Sequence, residues 1–344
     1  WKVRSEKMRN IYDLTIKELE DYFISINEKK FRAVQVYEAL YKRRVTSFDD
    51  MTNISKEVRE KLKQDFSFYK IKMLIKQQGK NVNKYLFELE DGNKIETVLM
   101  FHDYGTSICV SSQVGCNMTC AFCESGRLKK VRNLLAYEIV QQILQIEEDI
   151  NKRITHVVLM GIGEPFDNYD NVLRFVKIIN CGKGIDIGSR HITISTCGVI
   201  PGIKKFMNEE GQVNLAISLH APNDTLRSRI MPINKAYPLN ELMETIKEYI
   251  NKTNRRVTFE YIMLDNVNDS EENAKELALL LKGINCYVNL IPYNETENIE
   301  FKRTKEWKIM KFYDILKKNK INVTIRKEFG GSVDAACGQL RANN

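Results

Sequence analysis

The chain opens in a helical rhythm. Phe31, Val34, Tyr37, Leu40 and Tyr41 recur at spacings of three and four, which places them on one face of an amphipathic helix. Residues 54–66 continue the pattern, and Thr15 followed by Glu18 has the spacing of a capping box opening a helix near Ile16. A small helical unit is expected over residues 1–75. The period then shortens. Residues 84–90 and 94–100 are alternating or β-rich runs joined by Asp91-Gly92-Asn93, a hairpin signal, so a connecting hairpin segment is expected over 76–104. From about residue 105 short apolar runs alternate with helical patterns. Strands are expected at 107–112, 155–160, 191–195, 213–218, 257–263, 287–291 and 322–326. Helices are expected at 136–150, 169–180, 200–208, 239–252, 271–283 and 305–319. Such alternation predicts an α/β fold, a parallel sheet with right-handed crossovers, open or curled into a barrel. Polar residues just past strand C-termini then become the candidates for a site.

Composition narrows the class without deciding it. Of 344 residues, 43% are hydrophobic and 28% charged, ordinary for a folded globular chain. Eight cysteines are too few for a disulfide scaffold. No apolar run approaches the ~20 residues of a membrane span, and no charged-then-apolar leader opens the sequence, so a cytoplasmic protein away from membranes is expected. In a reducing compartment grouped cysteines point to metal or catalysis rather than bridges.

Charge is more informative by segment than in total. The net +8 hides +5 over residues 1–100, +2 over 101–132, +7 over 301–328 and −6 over 133–300. Lysine-rich helices are often just solvated faces. Two separated basic segments with interleaved aromatics suit a nucleic-acid surface better: Phe66, Tyr69 and Lys70 in one, Trp307, Lys308, Phe312 and Tyr313 in the other.

The strongest chemical signal is Cys116-Asn117-Met118-Thr119-Cys120-Ala121-Phe122-Cys123, a C-x3-C-x2-C run just after the first strand of the alternating region. Three thiolates on one short loop can bind three irons of a four-iron cluster and leave the fourth open to a substrate chelate. A structural zinc site wants four ligands, usually in two pairs, and no fourth cysteine or histidine lies nearby in sequence. Ferredoxin-type clusters also use four cysteines.

This run resembles the radical S-adenosylmethionine (SAM) superfamily signature C-x3-C-x-aromatic-C, with Phe122 at the aromatic position. Gly161-Ile162-Gly163-Glu164-Pro165, after the second strand, is similar to that family's glycine-plus-carboxylate element. The resemblance extends further. Ile108 to Cys116 (ICVSSQVGC), Leu215 to Asp224 (LAISLHAPND), Met231-Pro232-Ile233-Asn234 and Asp334 to Leu340 (DAACGQL) occur in order and resemble the RlmN/Cfr family, which methylates adenosine in 23S ribosomal RNA at carbon 2 or carbon 8. The likeness runs from about Tyr12 to Leu340. It implies a radical SAM partial (β/α)6 barrel over 105–344, behind an N-terminal helical RNA-binding accessory domain and the hairpin segment.

The resemblance also implies roles. Cys116, Cys120 and Cys123 would hold one [4Fe-4S] cluster. Gly163, Glu164, Ser195, Ser218, Leu219, His220 and Asn294 would contact SAM. Cys337 would be the methyl carrier, Cys109 its partner, and Glu96 a proton acceptor. In the family mechanism one SAM methylates the carrier cysteine. A second, cleaved to an adenosyl radical, takes a hydrogen from that S-methyl group. The methylene radical adds to the adenine ring, and the partner cysteine removes the ring proton and closes a disulfide that releases the RNA. Thiols suit this work because their pKa lies near neutrality and sulfur attacks sulfur readily. The implied partners are 23S rRNA before ribosome assembly is complete, tRNA, and an external electron donor such as flavodoxin or ferredoxin, with the enzyme a monomer.

Gly163-Glu164-Pro165, the Ser218–Asp224 segment and Phe31-Arg32-Ala33-Val34-Gln35-Val36 favour the RlmN branch and carbon 2. A Cfr-type carbon-8 enzyme is the nearest alternative. A non-catalytic iron–sulfur RNA-binding protein is the alternative of another class, and the Cys109 and Cys337 pair argues against it. Cys181, Cys197 and Cys286 read as packing residues, while His102, His156 and His191 have no assigned chemistry. A glutamate on a hairpin is ordinarily solvated, which sets Glu96 apart from the other candidates. One departure stands out: Glu124-Ser125-Gly126 follows the third cysteine where the family usually has Ala-Thr-Gly. The extra carboxylate beside an anionic cluster is expected to be offset by Arg127, Lys129, Lys130 and Arg132.

Overall fold

The structure, a computed structural model, describes residues 8–326 and 338–340. Its N-terminal part contains α1 (Ile16–Ser25), α2 (Arg32–Tyr41) and α3 (Lys56–Asp65). The capping box forms as the spacing predicts: Glu18 N donates to Thr15 Oγ1 at 3.3 Å and Thr15 N donates to Glu18 Oε2 at 2.9 Å. Leu19, Phe23, Val36, Tyr37, Leu40, Val58 and Leu62 lie on the inward faces and join one hydrophobic core with the rest of the chain.

The next strands are β1 (Lys72–Gly79), β2 (Val82–Glu88), β3 (Lys94–His102) and β4 (Gly105–Cys109), an antiparallel meander. A two-residue ribbon of β5 (Gln113–Val114) and β6 (Arg132–Asn133) brackets the cysteine loop. Alternation follows: α4 (Ala136–Ile150), β7 (His156–Leu159), α5 (Tyr169–Asn180), β8 (Ile192–Thr196), α6 (Ile200–Phe206) and β9 (Asn214–Ser218). The chain continues with α7 (Asp224–Ile230), α8 (Leu239–Thr253), β10 (Val257–Met263), α9 (Glu271–Leu280), β11 (Cys286–Pro292), α10 (Glu306–Lys318) and β12 (Val323–Ile325).

Among the described residues these strands form one ten-stranded sheet in the order β1-β2-β3-β4-β7-β8-β9-β10-β11-β12. It is parallel from β4 to β12, and one cavity touches the ends of β7, β8, β9, β10 and β11 and the residue after β12, so the sheet curls around it as a partial barrel. Besides the short ribbon of β5 and β6, two further elements have no counterpart in the sequence reading. The strand β1 spans residue 75, and α7 is too short, at seven residues, to show a hydrophobic period.

The helical region is docked on the barrel by ion pairs as well as apolar packing. Arg174 of α5 reaches Glu18 at 2.5 Å, Tyr137 N donates to Asp13 Oδ1 at 3.2 Å, and Arg44 pairs with the buried Glu147 of α4. Burial alone would raise the Glu18 carboxyl, but bonds from Arg174, Thr15 and Arg9 outweigh it and hold the group down to about 2.

Candidate active site

The cysteine loop is closed at its base by backbone pairing. Val131 N donates to Val114 O at 2.8 Å and Cys116 N to Leu128 O at 2.9 Å. Gly115 sits at φ +73, and a Cβ there would lie 2.2 Å from Lys129 O, so the two ends of the loop approach as closely as glycine permits. Ala121 N donates to Ile230 O at 2.9 Å, fastening the tip to the end of α7. Cys116, Cys120 and Cys123 all line one open cavity.

These residues fit an iron–sulfur cluster. Burial pushes the Cys116 thiol up to about 12 and Cys120 well above the ordinary thiol range, so each is neutral unless cationic metal offsets the cost of ionisation. Among the described residues no three His, Cys, Asp or Glu side chains converge on a point that a single ion could occupy. Three thiols on one loop with no fourth ligand beside them in sequence suit a cube of irons, in which each thiolate takes a different metal atom, better than a four-ligand zinc.

The loop after β7 forms the next wall. Gly161 N donates to Val110 O at 3.1 Å, and Ile162 N to Ser111 Oγ at 3.0 Å, while that hydroxyl donates to Glu96 O at 2.6 Å. Gly163 is at φ +108, with Gln113 side-chain and backbone atoms 2.6–2.9 Å from where a Cβ would stand. Gln113 Oε1 in turn accepts from Glu164 N at 2.9 Å. The Glu164 carboxylate is buried and accepts from Phe166 N at 3.0 Å and Cys197 N at 2.8 Å. Burial raises its pKa, opposed by these bonds and by the Thr196 hydroxyl and Cys197 thiol. Glu164 therefore ties the β7 loop to the end of β8 as well as facing the cavity.

Ser195 and Ser218 stand on the cavity wall at the ends of β8 and β9. His220 lies beside them at φ +59, and Asn268 holds that conformation by donating to His220 O at 2.8 Å. Its Nδ1 accepts from Ile262 N at 3.0 Å, which leaves the proton of the neutral ring on Nε2. Burial first, and then Arg227, lowers the His220 pKa to about 3. Leu219 and Asn294 do not line the cavity. Leu219 is fully buried in the core and its N–H goes to Glu260 O at 3.1 Å, and the Asn294 amide turns back to Pro292 O at 3.5 Å.

Several wall residues escaped the sequence reading. Cys197 does not merely pack: it lines the cavity and touches Glu164. Met160, Glu260 and Arg326 also line it. Glu260 is a buried carboxylate whose Oε2 accepts from Asn289 at 2.8 Å, and burial raises its pKa against the pull of Arg326. A charge within the apolar run of β10 was the available signal, since a buried carboxylate is rare without a purpose. Cys286 is buried as packing predicts, and Cys181 is half-buried at the edge of the core.

Cys109 ends β4, buried with Val98, Ile162 and Leu340. It pairs in register with Val98, so Glu96, two residues along the same face, is its diagonal neighbour. Glu96 is not solvated as a hairpin glutamate would be. It is 4% exposed and pairs with Lys84 at 3.2 Å. Cys337 lies outside the described residues, but Gly338, the residue after it, lines the cavity. The 338–340 strap is bound to the cysteine loop: Glu124 N donates to Gly338 O at 2.8 Å and Ser125 Oγ to Leu340 O at 2.7 Å.

Two expectations need correction. Glu124 is buried with Oε1 lacking a partner, and three of the four cations expected to offset it are engaged elsewhere. Arg127 is turned to Asn298 O, Lys130 to Asp167, and Arg132 to Asp91 and Glu138. Nor do the interleaved aromatics form a stacking surface, because their spacing puts several on core-facing sides. Phe66 and Phe312 are buried, and Lys308 is engaged with Asp265 and Asp269, leaving Trp307 as the widely exposed ring of the seven residues named.

Comparison with known proteins agrees with this geometry. Residues 9–67 match the family model "Ribosomal RNA large subunit methyltransferase N-terminal domain", and residues 110–278 match "Radical SAM superfamily". The chain is 54% identical over 341 residues to a probable dual-specificity RNA methyltransferase RlmN of Spiroplasma citri, covering 98% of each. It is 54% identical to the protein of the same description in Enterococcus faecalis, covering 97% of this chain and 96% of that one. A crystal structure of a radical SAM methyltransferase from Sphaerobacter thermophilus superposes with a TM-score of 0.92 at 41% identity, covering 97% of this chain and 100% of that one.

Proposed function

The chain belongs to the RlmN family of radical SAM RNA methyltransferases, and from that premise we propose that it methylates carbon 2 of an adenosine in 23S rRNA. The same reading extends to the adenosine 3′ to the anticodon of tRNA, in keeping with the dual specificity named for its relatives. The observation that carries the assignment of residues is the strap at 338–340. It brings the neighbour of Cys337 to the wall shared by the three loop cysteines and seats Leu340 against Cys109.

Cys116, Cys120 and Cys123 are the ligands for a [4Fe-4S] cluster. When bound with SAM, it supplies a 5′-deoxyadenosyl radical. Gly163, Glu164, Ser195, Ser218 and His220 shape the SAM pocket, with Leu219 and Asn294 acting through backbone position. The Cys337 thiolate takes a methyl group from one SAM, and a second SAM serves each turnover. One hydrogen of that S-methyl group would pass to the 5′-deoxyadenosyl radical, giving 5′-deoxyadenosine, and the carrier carbon would bond to the adenine ring. Cys109 removes the ring proton as the adduct gives back the one electron used to cleave SAM. The Cys109 sulfur then attacks Cys337, so a disulfide forms as the carbon–sulfur bond breaks. The freed carbon takes a proton to become the product methyl group, and the external donor reduces the disulfide. Glu96, held beside Lys84 on the same face, accepts or relays that proton.

An external donor such as flavodoxin or ferredoxin supplies electrons, and the rRNA is met before ribosome assembly is complete. The enzyme works as a cytoplasmic monomer. Among the described residues no helix is long and apolar enough to cross a membrane. The test is mass analysis of digested RNA after anaerobic reaction with SAM and a reductant. 2-Methyladenosine is expected. 8-Methyladenosine as the main product would overturn the carbon-2 assignment, and unmodified RNA beside an intact cluster would overturn the catalytic reading.

A further inference from the structure

Arg227 is the largest side chain buried without trace of exposure, and its environment is unusual for a cation. Nε donates to Leu219 O at 3.2 Å, Nη1 to Asn234 Oδ1 at 2.9 Å, and Nη2 to Cys197 O at 2.6 Å and Ser218 O at 3.2 Å. All of these acceptors are neutral. Among the described residues no carboxylate forms an ion pair with it. Asp224, whose charge acts on it, has its Oδ1 occupied by Asn234 Nδ2 at 2.7 Å and Leu239 N at 2.8 Å. A guanidinium cannot shed its proton, and a buried charge without a counter-charge costs several kcal/mol.

The missing anion has an obvious place. Arg227 lies on α7, whose last residue, Ile230, accepts from Ala121 in the cysteine loop at 2.9 Å. The carbonyls it binds belong to Cys197, Ser218 and Leu219, and the first two of these residues line the cavity with the three loop cysteines. Cys120 and Cys197 are the thiols whose charge would favour the guanidinium most. A four-iron cluster on three thiolates carries a net negative charge, and one added electron makes it more negative.

We propose that Arg227 is the fixed counter-cation of the cluster, a positioning residue whose field raises the cluster's reduction potential. The inference rests on the cluster reading of the loop cysteines. The four hydrogen bonds hold the charge rigidly, so it acts without reorganisation when the electron arrives. Arg227 touches neither SAM nor the RNA in this role.

The experiment is a redox titration of the full chain, reconstituted anaerobically and followed by electron paramagnetic resonance without SAM. Arg227→Gln removes the charge, Arg227→Lys keeps it, and Asn234→Asp places a carboxylate against Nη1 while leaving the arginine in place. Iron and sulfide content and circular dichroism establish that each variant folds and loads. Arg227→Gln and Asn234→Asp are expected to lower the reduced-to-oxidised ratio at a fixed poise about tenfold, which for one electron is a 59 mV fall in midpoint. Arg227→Lys should stay near the wild-type value. A loaded Arg227→Gln or Asn234→Asp chain with the wild-type midpoint would overturn the proposal, and should the first fail to fold the second carries the test. A wild-type chain that takes up no iron–sulfur cluster would instead overturn the reading beneath it.

Discussion

Three glycines separate what the backbone demands from what the site demands. Gly188 has φ −59 with nothing within 4 Å of where a Cβ would stand, so Gly188→Ala should be neutral or stabilise by about 0.4–1 kcal/mol through the unfolded chain. Gly92, in the hairpin turn, has φ +80 but the same open space, so Gly92→Ala should lose about 1–2 kcal/mol to backbone strain alone. Gly163 has both burdens. Its φ of +108 lies outside the region other residues tolerate, and the added carbon would meet Gln113 Cβ at 2.6 Å, Cγ at 2.8 Å and the backbone nitrogen at 2.9 Å. Strain of about 1–3 kcal/mol and overpacking of about 1–3 kcal/mol together give about 2–6 kcal/mol. Gln113 cannot retreat freely, because its amide also holds Asn133 at 2.8 Å and Asp167 at 2.9 Å. Urea denaturation reads the stability, and calorimetric titration of SAM into the cluster-loaded protein reads the site. Gly163→Ala should weaken SAM at least tenfold, equivalent to about 1.4 kcal/mol, while the other two leave it unchanged. Equal stability loss in Gly163→Ala and Gly92→Ala, with SAM affinity intact in both, would refute the reasoning.

Other outcomes follow from the same structure. Ser111→Ala strands two buried groups, Glu96 O and Ile162 N, and should cost about 2–4 kcal/mol in urea denaturation; a loss under about 0.5 kcal/mol would show that neither bond matters. Cys109→Ala should leave RNA covalently attached through Cys337, seen as a shifted band on a denaturing gel; free RNA beside methylated Cys337 would contradict the roles given to the pair. The Glu18 pKa is depressed from its ordinary 4.5 to about 2, so its contribution is complete above 4.5 and is lost as pH falls from 4.5 toward 2. Hydrogen exchange in α1 should therefore quicken over that window, and Glu18→Gln should remove the dependence; an unchanged profile in the variant would place the acid sensitivity elsewhere.

The parallel strands and most helices were legible because their signals are local. Seven short β-rich runs with six helical periods between them locate β4 and β7–β12, and Thr15 with Glu18 announces a cap that forms as written. The cysteine loop was legible for the same reason, three ligands within eight residues. What stayed hidden depends on distant partners. Burial of Glu96 follows from β2 placing Lys84 against it, and the role of Cys197 on the wall follows from Glu164 crossing over from the β7 loop. Arg227 drew no reading at all, since nothing in its own segment says that three carbonyls and an amide enclose it. The aromatics of the basic segments misled because a helix shows the same residues whether its ring-bearing face meets solvent or core.

An open sheet has two rims, and each rim is a row of unpaired backbone groups on which another chain can grow. Without the meander, one of those rims would be β4, the strand that ends in Cys109. Three added strands move the rim outward to β1, which carries Lys72 and Lys76 and breaks register between Met73 and Ile75. Charge and irregularity of this kind discourage edge-to-edge growth. Among the described residues the opposite rim is β12, three residues long, which offers little template. The meander thus keeps the strand bearing Cys109 away from chance pairing with other chains, a protection against aggregation built into the same sheet that positions the thiol.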